Sequence, residues 1–330
     1  MTRPQQRRFR KSLLAWYGSH ARDLPWRANR DPYRVWLSEI MLQQTRVAAV
    51  IEHYHEFLRR FPTVEKLAAA REASVLAAWS GLGYYRRARM LHAAAKVIVR
   101  EHGGKFPATE ESLRALPGIG RYTAAAIASI TFAEPVAVVD GNVQRVLQRL
   151  AGKRLAGEEL WLTANRLLDA KRSGDFNQAL MELGATVCTP RAPLCLTCPV
   201  IELCATRGEL AAQAKSQPQL KRQIHYSLHC RKREIFLVQR SPDASLMPGM
   251  WELPELARMN DAIMPDAKTH GAASPSFTLR HSITVTDYTV QVWRDAAPPP
   301  IKGKWISLGR LRQLALTGLA RKILRKAQIL

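Results

Sequence analysis

Four cysteines, Cys188, Cys195, Cys198 and Cys204, stand close together as C-x6-C-x2-C-x5-C. Four thiolates can close a site around zinc or iron, and a loop folded on such a site has few other conformations open to it. The competing use of clustered cysteines, a disulfide framework, belongs to short secreted chains. Here the chain has 330 residues and no apolar signal segment opens it, so a metal in a reducing cytosol is expected. Pro190, Pro193 and Pro199 punctuate the loop and stiffen it. Zinc usually takes two CxxC-like pairs, whereas this loop has one, flanked by single cysteines. Cys230 lies apart and is expected to be an inert thiol.

Lys and Arg number 50 against 27 Asp and Glu, a net charge of +23. Such an excess favours a phosphate backbone as partner, bound in a salt-sensitive way. No apolar run is long enough to span a membrane. Residues 8 to about 205 carry Ala, Leu and Arg at helical spacing, broken at Phe61-Pro62, Gly81-Leu82-Gly83 and Gly103-Gly104. The polar stretch Ala211 to Gln223 resembles a linker. Beyond it, Ile235 to Val238, Ile283 to Thr286 and Val290 to Trp293 are β-like, and Leu308 to Lys326 is a basic amphipathic segment expected as a helix. The expectation is a helical domain over 1–210, a linker over 211–223 and a small α+β domain over 224–330.

Leu116-Pro117-Gly118-Ile119-Gly120-Arg121-Tyr122 forms a tight turn between two helical stretches. Pro117 sets the turn, while Gly118 and Gly120 allow positive φ and remove Cβ bulk. Backbone N–H groups there, and the helix N-terminus that follows, can approach a phosphate; an ordinary helix–helix connector would share the pattern. Trp36-Leu37-Ser38-Glu39-Ile40-Met41-Leu42-Gln43-Gln44 reads as a helix with Trp36, Ile40, Val47 and Ile51 on one face and Glu39 at its edge. Either Glu39 faces a cleft, or it is a satisfied polar edge, or the helix ends early. Asp140, in Val138-Val139-Asp140-Gly141-Asn142, suits a helix N-cap, whose N–H groups should keep it ionised. Together the two carboxyls could supply one proton donor and one anion, the division that glycosidic-bond cleavage needs.

These motifs, in this order, resemble the MutY-type adenine DNA glycosylases of the helix-hairpin-helix superfamily, over roughly residues 10 to 325. The string around Glu39 discriminates best; the cysteine loop is shared with endonuclease III relatives. The resemblance implies a mainly α helix-hairpin-helix glycosylase fold with a [4Fe–4S] loop, followed by a Nudix-like α+β domain. It implies that Glu39 protonates adenine and Asp140 stabilises the sugar cation, with Tyr122 and Asn142 bonded around them. Gln44 and Tyr84 would contact the duplex beside the lesion, and Arg27 and Gln178 would line the adenine pocket. A lysine at the position of Tyr122 would form a Schiff base in the bifunctional branch, which tyrosine cannot do, so little or no strand cleavage is expected. The implied partner is duplex DNA with 8-oxoguanine:adenine or guanine:adenine mispairs, met by a monomer in the cytoplasm at the nucleoid.

In the C-terminal part, Leu237 to Arg240 and Leu246 to Pro254 resemble the start of a Nudix-like domain, without the acidic R-E-x-x-E-E run that would hold Mg2+. The family's Phe-Ser-His lesion loop would correspond to Ile283-Thr284-Val285, after Arg280-His281. Thr284 keeps a hydroxyl for the lesion; Val285 donates nothing. A bifunctional pyrimidine glycosylase, a non-enzymatic DNA-binding protein and a Nudix hydrolase are the alternatives.

Overall fold

In a computed structural model, residues 1–210, 220–256, 275–283, 286–294 and 300–330 are described. They group into two compact units, Met1–Ala69 with Met90–Gln213, and Ala70–Arg89 with Ala214–Leu330.

The first unit is helical. It contains α1 (Arg3–His20), α2 (Pro32–Leu42), α3 (Val47–Arg60) and α4 (Val64–Ala68). After α5 (Glu72–Trp79) of the second unit and α6 (Arg86–His102) come α7 (Glu110–Arg114), α8 (Arg121–Phe132), α9 (Gly141–Ala151), α10 (Gly157–Leu167) and α11 (Ser173–Thr186). Helix starts follow from capping: Asp31 accepts from the Arg34 N–H at 2.8 Å before Pro32, and Asp140 accepts from the Val143 N–H at 2.7 Å.

The expected helix from Trp36 through Ile51 is two helices. α2 stops at Leu42, Gln44 adopts φ +55°, and α3 starts at Val47. Nor is α2 amphipathic: Tyr33, Val35 and every residue from Trp36 to Met41 are buried. A helix buried on nearly all sides carries no stripe to read.

α8 explains why so much fits around it. Thr123 through Ile130 are all buried and half of them are alanine, so α2 and α11 approach closely. A Cβ on Gly174 of α11 would lie 2.6 Å from the Ser129 carbonyl. Asn177 of α11 then fixes the extended chain after α8. Its Oδ1 accepts from the Val138 N–H at 3.1 Å, and its Nδ2 donates to the Ser129 hydroxyl and the Val136 carbonyl, each at 2.9 Å. That segment leads directly into Asp140.

The second unit holds two small sheets. In one, β1 (Leu220–Leu228) runs parallel to β6 (Thr286–Arg294), which pairs antiparallel with β5 (Phe277–Ile283). In the other, β3 (Glu234–Gln239) pairs antiparallel with β2 (Cys230–Arg231), β4 (Trp251–Glu252) and β7 (Lys304–Ser307). Tyr226, Leu228, Ile235, Leu237, Val290 and Val292 meet α12 (Gly318–Lys326) in one core. Two sequence expectations change here. Leu220 to Gln223, expected within the linker, open β1; their side chains are exposed and all but Leu220 are polar, but their backbone pairs with Thr286 to Thr289. The expected helix over Leu308 to Lys326 is a 3-10 turn, Leu308–Gln313, then α12. Thr317 caps α12, its hydroxyl accepting from the Ala320 N–H at 3.2 Å.

The segment 70–89, read from sequence as part of the helical domain, belongs to this unit. Ser80 and Tyr85 hydroxyls both donate to the Leu316 carbonyl, at 2.9 and 3.0 Å, and Arg89 donates to the Pro248 carbonyl at 2.6 Å. Among the described residues, no helix is long and apolar enough to cross a membrane.

Candidate active site

α2, α8, and the cap of α9 bring three of the expected residues together. Glu39 is buried, 6% exposed. The Tyr122 hydroxyl donates to its Oε2 at 2.5 Å and also lies 3.7 Å from the Met181 sulfur of α11. Tyr122 packs in turn against Val35, Ala125, Ala126 and Val138. Asn142 donates from Nδ2 to Asp140 Oδ2 at 2.9 Å, while Asp140 Oδ1 takes the Val143 N–H. Arg145 braces Asn142, donating to its Oδ1 at 2.8 Å, to the Gly184 carbonyl at 2.7 Å and to the Cys188 carbonyl at 2.7 Å.

Burial dominates the electrostatics. It pushes Glu39 up to about 7; the Tyr122 hydrogen bond opposes this, the Asp140 charge adds to it, and Arg27 opposes it. Burial, with the charges of Glu39 and Asp140, also holds Tyr122 well above its ordinary value, so at neutral pH its hydroxyl is a donor. Asp140 is shifted upward despite its cap. Burial raises it, outweighing the cap N–H groups, Asn142 and Arg145 that favour its anion. A carboxyl protonated to about neutrality beside a second carboxyl held by anion-stabilising donors is an acid–base pair.

Arg27 sits on a 3-10 turn, Pro25–Arg27, with its guanidinium 5.5 Å from the Tyr17 ring. It donates to Glu182 Oε2 at 2.8 Å, and Arg22 donates to Glu182 Oε1 at 2.6 Å and Oε2 at 2.8 Å. Burial raises Glu182, but the two guanidiniums outweigh it and hold the carboxyl down at about 2. Glu182 was not read from the sequence. Its signal was a lone acid inside the apolar run Leu180-Met181-Glu182-Leu183. Gln178, one turn earlier on α11, is half-buried.

Gln44 is exposed at the α2–α3 break, and its neighbour Gln43 donates to the Thr123 hydroxyl at 3.3 Å. Tyr84 belongs to the second unit, 49% exposed, with φ +47° and the Arg87 guanidinium 5.6 Å from its ring. Thr284 lies outside the described residues. In the hairpin, Pro117 is half-buried and Gly118 has φ +73° as expected, with the Met90 Cβ 2.4 Å from where its own Cβ would be. Gly120 does not need positive φ: it caps α8 at φ −87°, exposed, with nothing within 4 Å of a Cβ. Gly118→Ala is therefore expected to lower the Tm by several degrees, since a left-handed alanine costs about 1 kcal/mol before any clash. Gly120→Ala is expected to leave it unchanged; thermal denaturation of the two checks this.

The four cluster cysteines are free thiols that line one concavity with Arg149, Val187, Pro193, Ile201 and Gly208. Arg149 donates to Cys188 Sγ at 3.3 Å and the Arg207 N–H to Cys204 Sγ at 3.4 Å. Among the described residues, no three His, Cys, Asp or Glu gather closely enough for one metal ion. Four sulfur donors around one concavity are the ligand chemistry that an iron–sulfur cluster or zinc takes.

A family model described as HhH-GPD superfamily base excision DNA repair protein matches residues 37–159. The adenine DNA glycosylase of Mus musculus is 36% identical, over 96% of this chain and 77% of that protein. This chain belongs to the adenine DNA glycosylase family. The Homo sapiens member is 51% identical over 60% of this chain and 39% of its own length. A member from Buchnera aphidicola of Schizaphis graminum is 37% identical over 71% of this chain and 66% of its own. Among solved structures, a thermostable thymine-DNA glycosylase matches with TM-score 0.59 and 30% identity, over 62% of this chain and 97% of that one. An endonuclease III–DNA complex shares the fold, with TM-score 0.55 and 22% identity, over 63% of this chain and 97% of that one. Glu39 with Tyr122, and Asp140 with Asn142, are the two hydrogen-bonded pairs just described.

Proposed function

We propose that this chain is a monofunctional glycosylase that hydrolyses the N-glycosidic bond of adenine mispaired with 8-oxoguanine or guanine in duplex DNA. The observation that carries it is the buried Tyr122–Glu39 hydrogen bond beside Asp140. An extruded adenine would accept the Glu39 proton at N7. The C1′–N9 bond breaks, its electron pair leaves with the base, and the sugar becomes an oxocarbenium-like cation facing the Asp140 carboxylate. Water then adds to C1′ and gives its proton to the Glu39 carboxylate, which restores the acid. Tyr122 orients Glu39 and Asn142 orients Asp140. Arg27 and Gln178 would line the pocket, Gln44 and Tyr84 would contact the opened duplex, and the hairpin, its turn set by Pro117, would offer the N–H groups of Gly118 and Gly120 to a phosphate. Cys188, Cys195, Cys198 and Cys204 would hold a [4Fe–4S] cluster, which staples the loop. The C-terminal unit, Nudix-like in this reading, would inspect the lesion, with Thr284 as a contact. Its buried Glu252 is paired with Arg240 at 2.8 Å, which speaks against Mg2+ chemistry there.

The test is single-turnover release of free adenine from an 8-oxoguanine:adenine duplex, with borohydride trapping alongside. Base release without a trapped adduct is expected; a high-yield adduct would mark a lyase and end the monofunctional assignment. The rate should also depend on pH. Glu39 acts in its protonated form, so release should fall as pH rises through about 7. Asp140 acts as the anion with its own value raised, so release should fall again on the acid side. A flat pH profile across neutrality would remove Glu39 as the donor.

A further inference from the structure

Arg27 and Glu39 present a problem that the proposed chemistry leaves open. A proton donor works at neutral pH only if no cation pairs with it, yet the Arg27 guanidinium is close enough to favour the Glu39 anion. Arg27 is not free to turn. Its Nη2 donates to Glu182 at 2.8 Å, its Nη1 donates to the Arg22 carbonyl at 3.1 Å, and its plane lies over Tyr17. Glu182 is 1% exposed and carries both Arg22 and Arg27.

We propose that Glu182 is a positioning residue that holds Arg27 in a buried ion pair and so keeps that guanidinium from pairing with Glu39. The proposal rests on the reading of Glu39 as proton donor. It gives the buried acid of α11 a task that capping and packing do not. The charged groups around Glu39 are Tyr122 from α8, Asp140 from the α9 cap and Arg27 from the turn after α1. Those around the Arg27 pair are Arg22, Glu182, Tyr17 from α1 and Asp175 from α11. Of these, only Arg27 acts on Glu39 and is itself held by Glu182. With Glu182 neutral, a buried guanidinium would seek the nearest anion, and Glu39 would ionise to meet it.

The experiment is the pH profile of single-turnover adenine release, with thermal denaturation of each variant. In Glu182→Gln the alkaline fall should move to lower pH by about 1 unit or more. Arg22→Gln leaves Arg27 paired with Glu182, so its fall should stay where wild type has it, although both variants lose stability. A fall that stays in place in Glu182→Gln, or moves alike in both variants, would overturn the proposal while leaving Glu39 as the donor. Should Glu182→Gln not fold, Glu182→Asp keeps the charge but shortens the reach, and should move the fall the same way by less. Adenine release by Glu39→Gln at the wild-type rate would overturn both readings.

Discussion

Glu39→Gln is expected to lower adenine release by about 10²–10⁴-fold while duplex binding is retained, because the amide keeps the shape and the Tyr122 contact but has no proton to give. The same change should make the protein more stable above neutral pH. In the folded state Glu39 is raised to about 7 from an ordinary 4.5. Between those values the folded form holds a proton that the unfolded chain has released, so stability falls as pH rises through that window. Above it, wild type buries an ionised carboxyl at a cost of up to about 3 kcal/mol, which the amide avoids. Glu39→Gln should therefore melt higher than wild type in mildly alkaline buffer and no differently below about pH 4. A slower but less stable variant would mean that Glu39 is a structural member of the core rather than a strained acid. Single-turnover rates and melting curves at two pH values decide between these.

The residues proposed for this chemistry stood out because each sits in a short, unusual local pattern. Aspartate is a favoured helix N-cap, and Asp140 caps α9 here. Glu39 in an apolar helix had to be either paired or placed for chemistry, and it is paired, through Tyr122. What the pattern hid was three-dimensional. The end of α2 at Leu42 depends on a left-handed Gln44, which no residue preference announces, since glutamine rarely takes that conformation. β1 was hidden because its first half is polar and exposed; only the parallel pairing with β6, more than sixty residues away, makes it a strand. The attachment of residues 70–89 to the C-terminal unit rests on hydrogen bonds to Leu316 and Pro248, contacts between distant positions that composition does not encode. The upward shift of Asp140 was hidden for a related reason: the cap was visible, but the burial that outweighs it was not.

Gly184→Ala is expected to weaken both the fold and the chemistry. Helices α9 and α11 cross so closely at this point that a Cβ on Gly184 would stand 2.6 Å from Asn142 Cβ and 2.9 Å from the Asn142 carbonyl oxygen. The oxygen is backbone, at the start of α9, so the strain cannot be relieved by turning a side chain. One added methyl must push the helices apart, at a cost of about 1–3 kcal/mol and several degrees of Tm. The displaced residue is the one that donates to Asp140 Oδ2, and the Gly184 carbonyl itself accepts from Arg145, which braces Asn142. Moving α11 off α9 therefore loosens the anion's holder as well as the core. Gly157→Ala offers a contrast, because no heavy atom lies within 4 Å of its Cβ position; with φ +52° it carries backbone strain but no helix–helix clash. Both variants should melt lower than wild type, but adenine release at a temperature where each is fully folded should drop only in Gly184→Ala. Equal release by the two would mean that the close approach of α9 and α11 serves stability alone and that Asp140 tolerates a shifted Asn142.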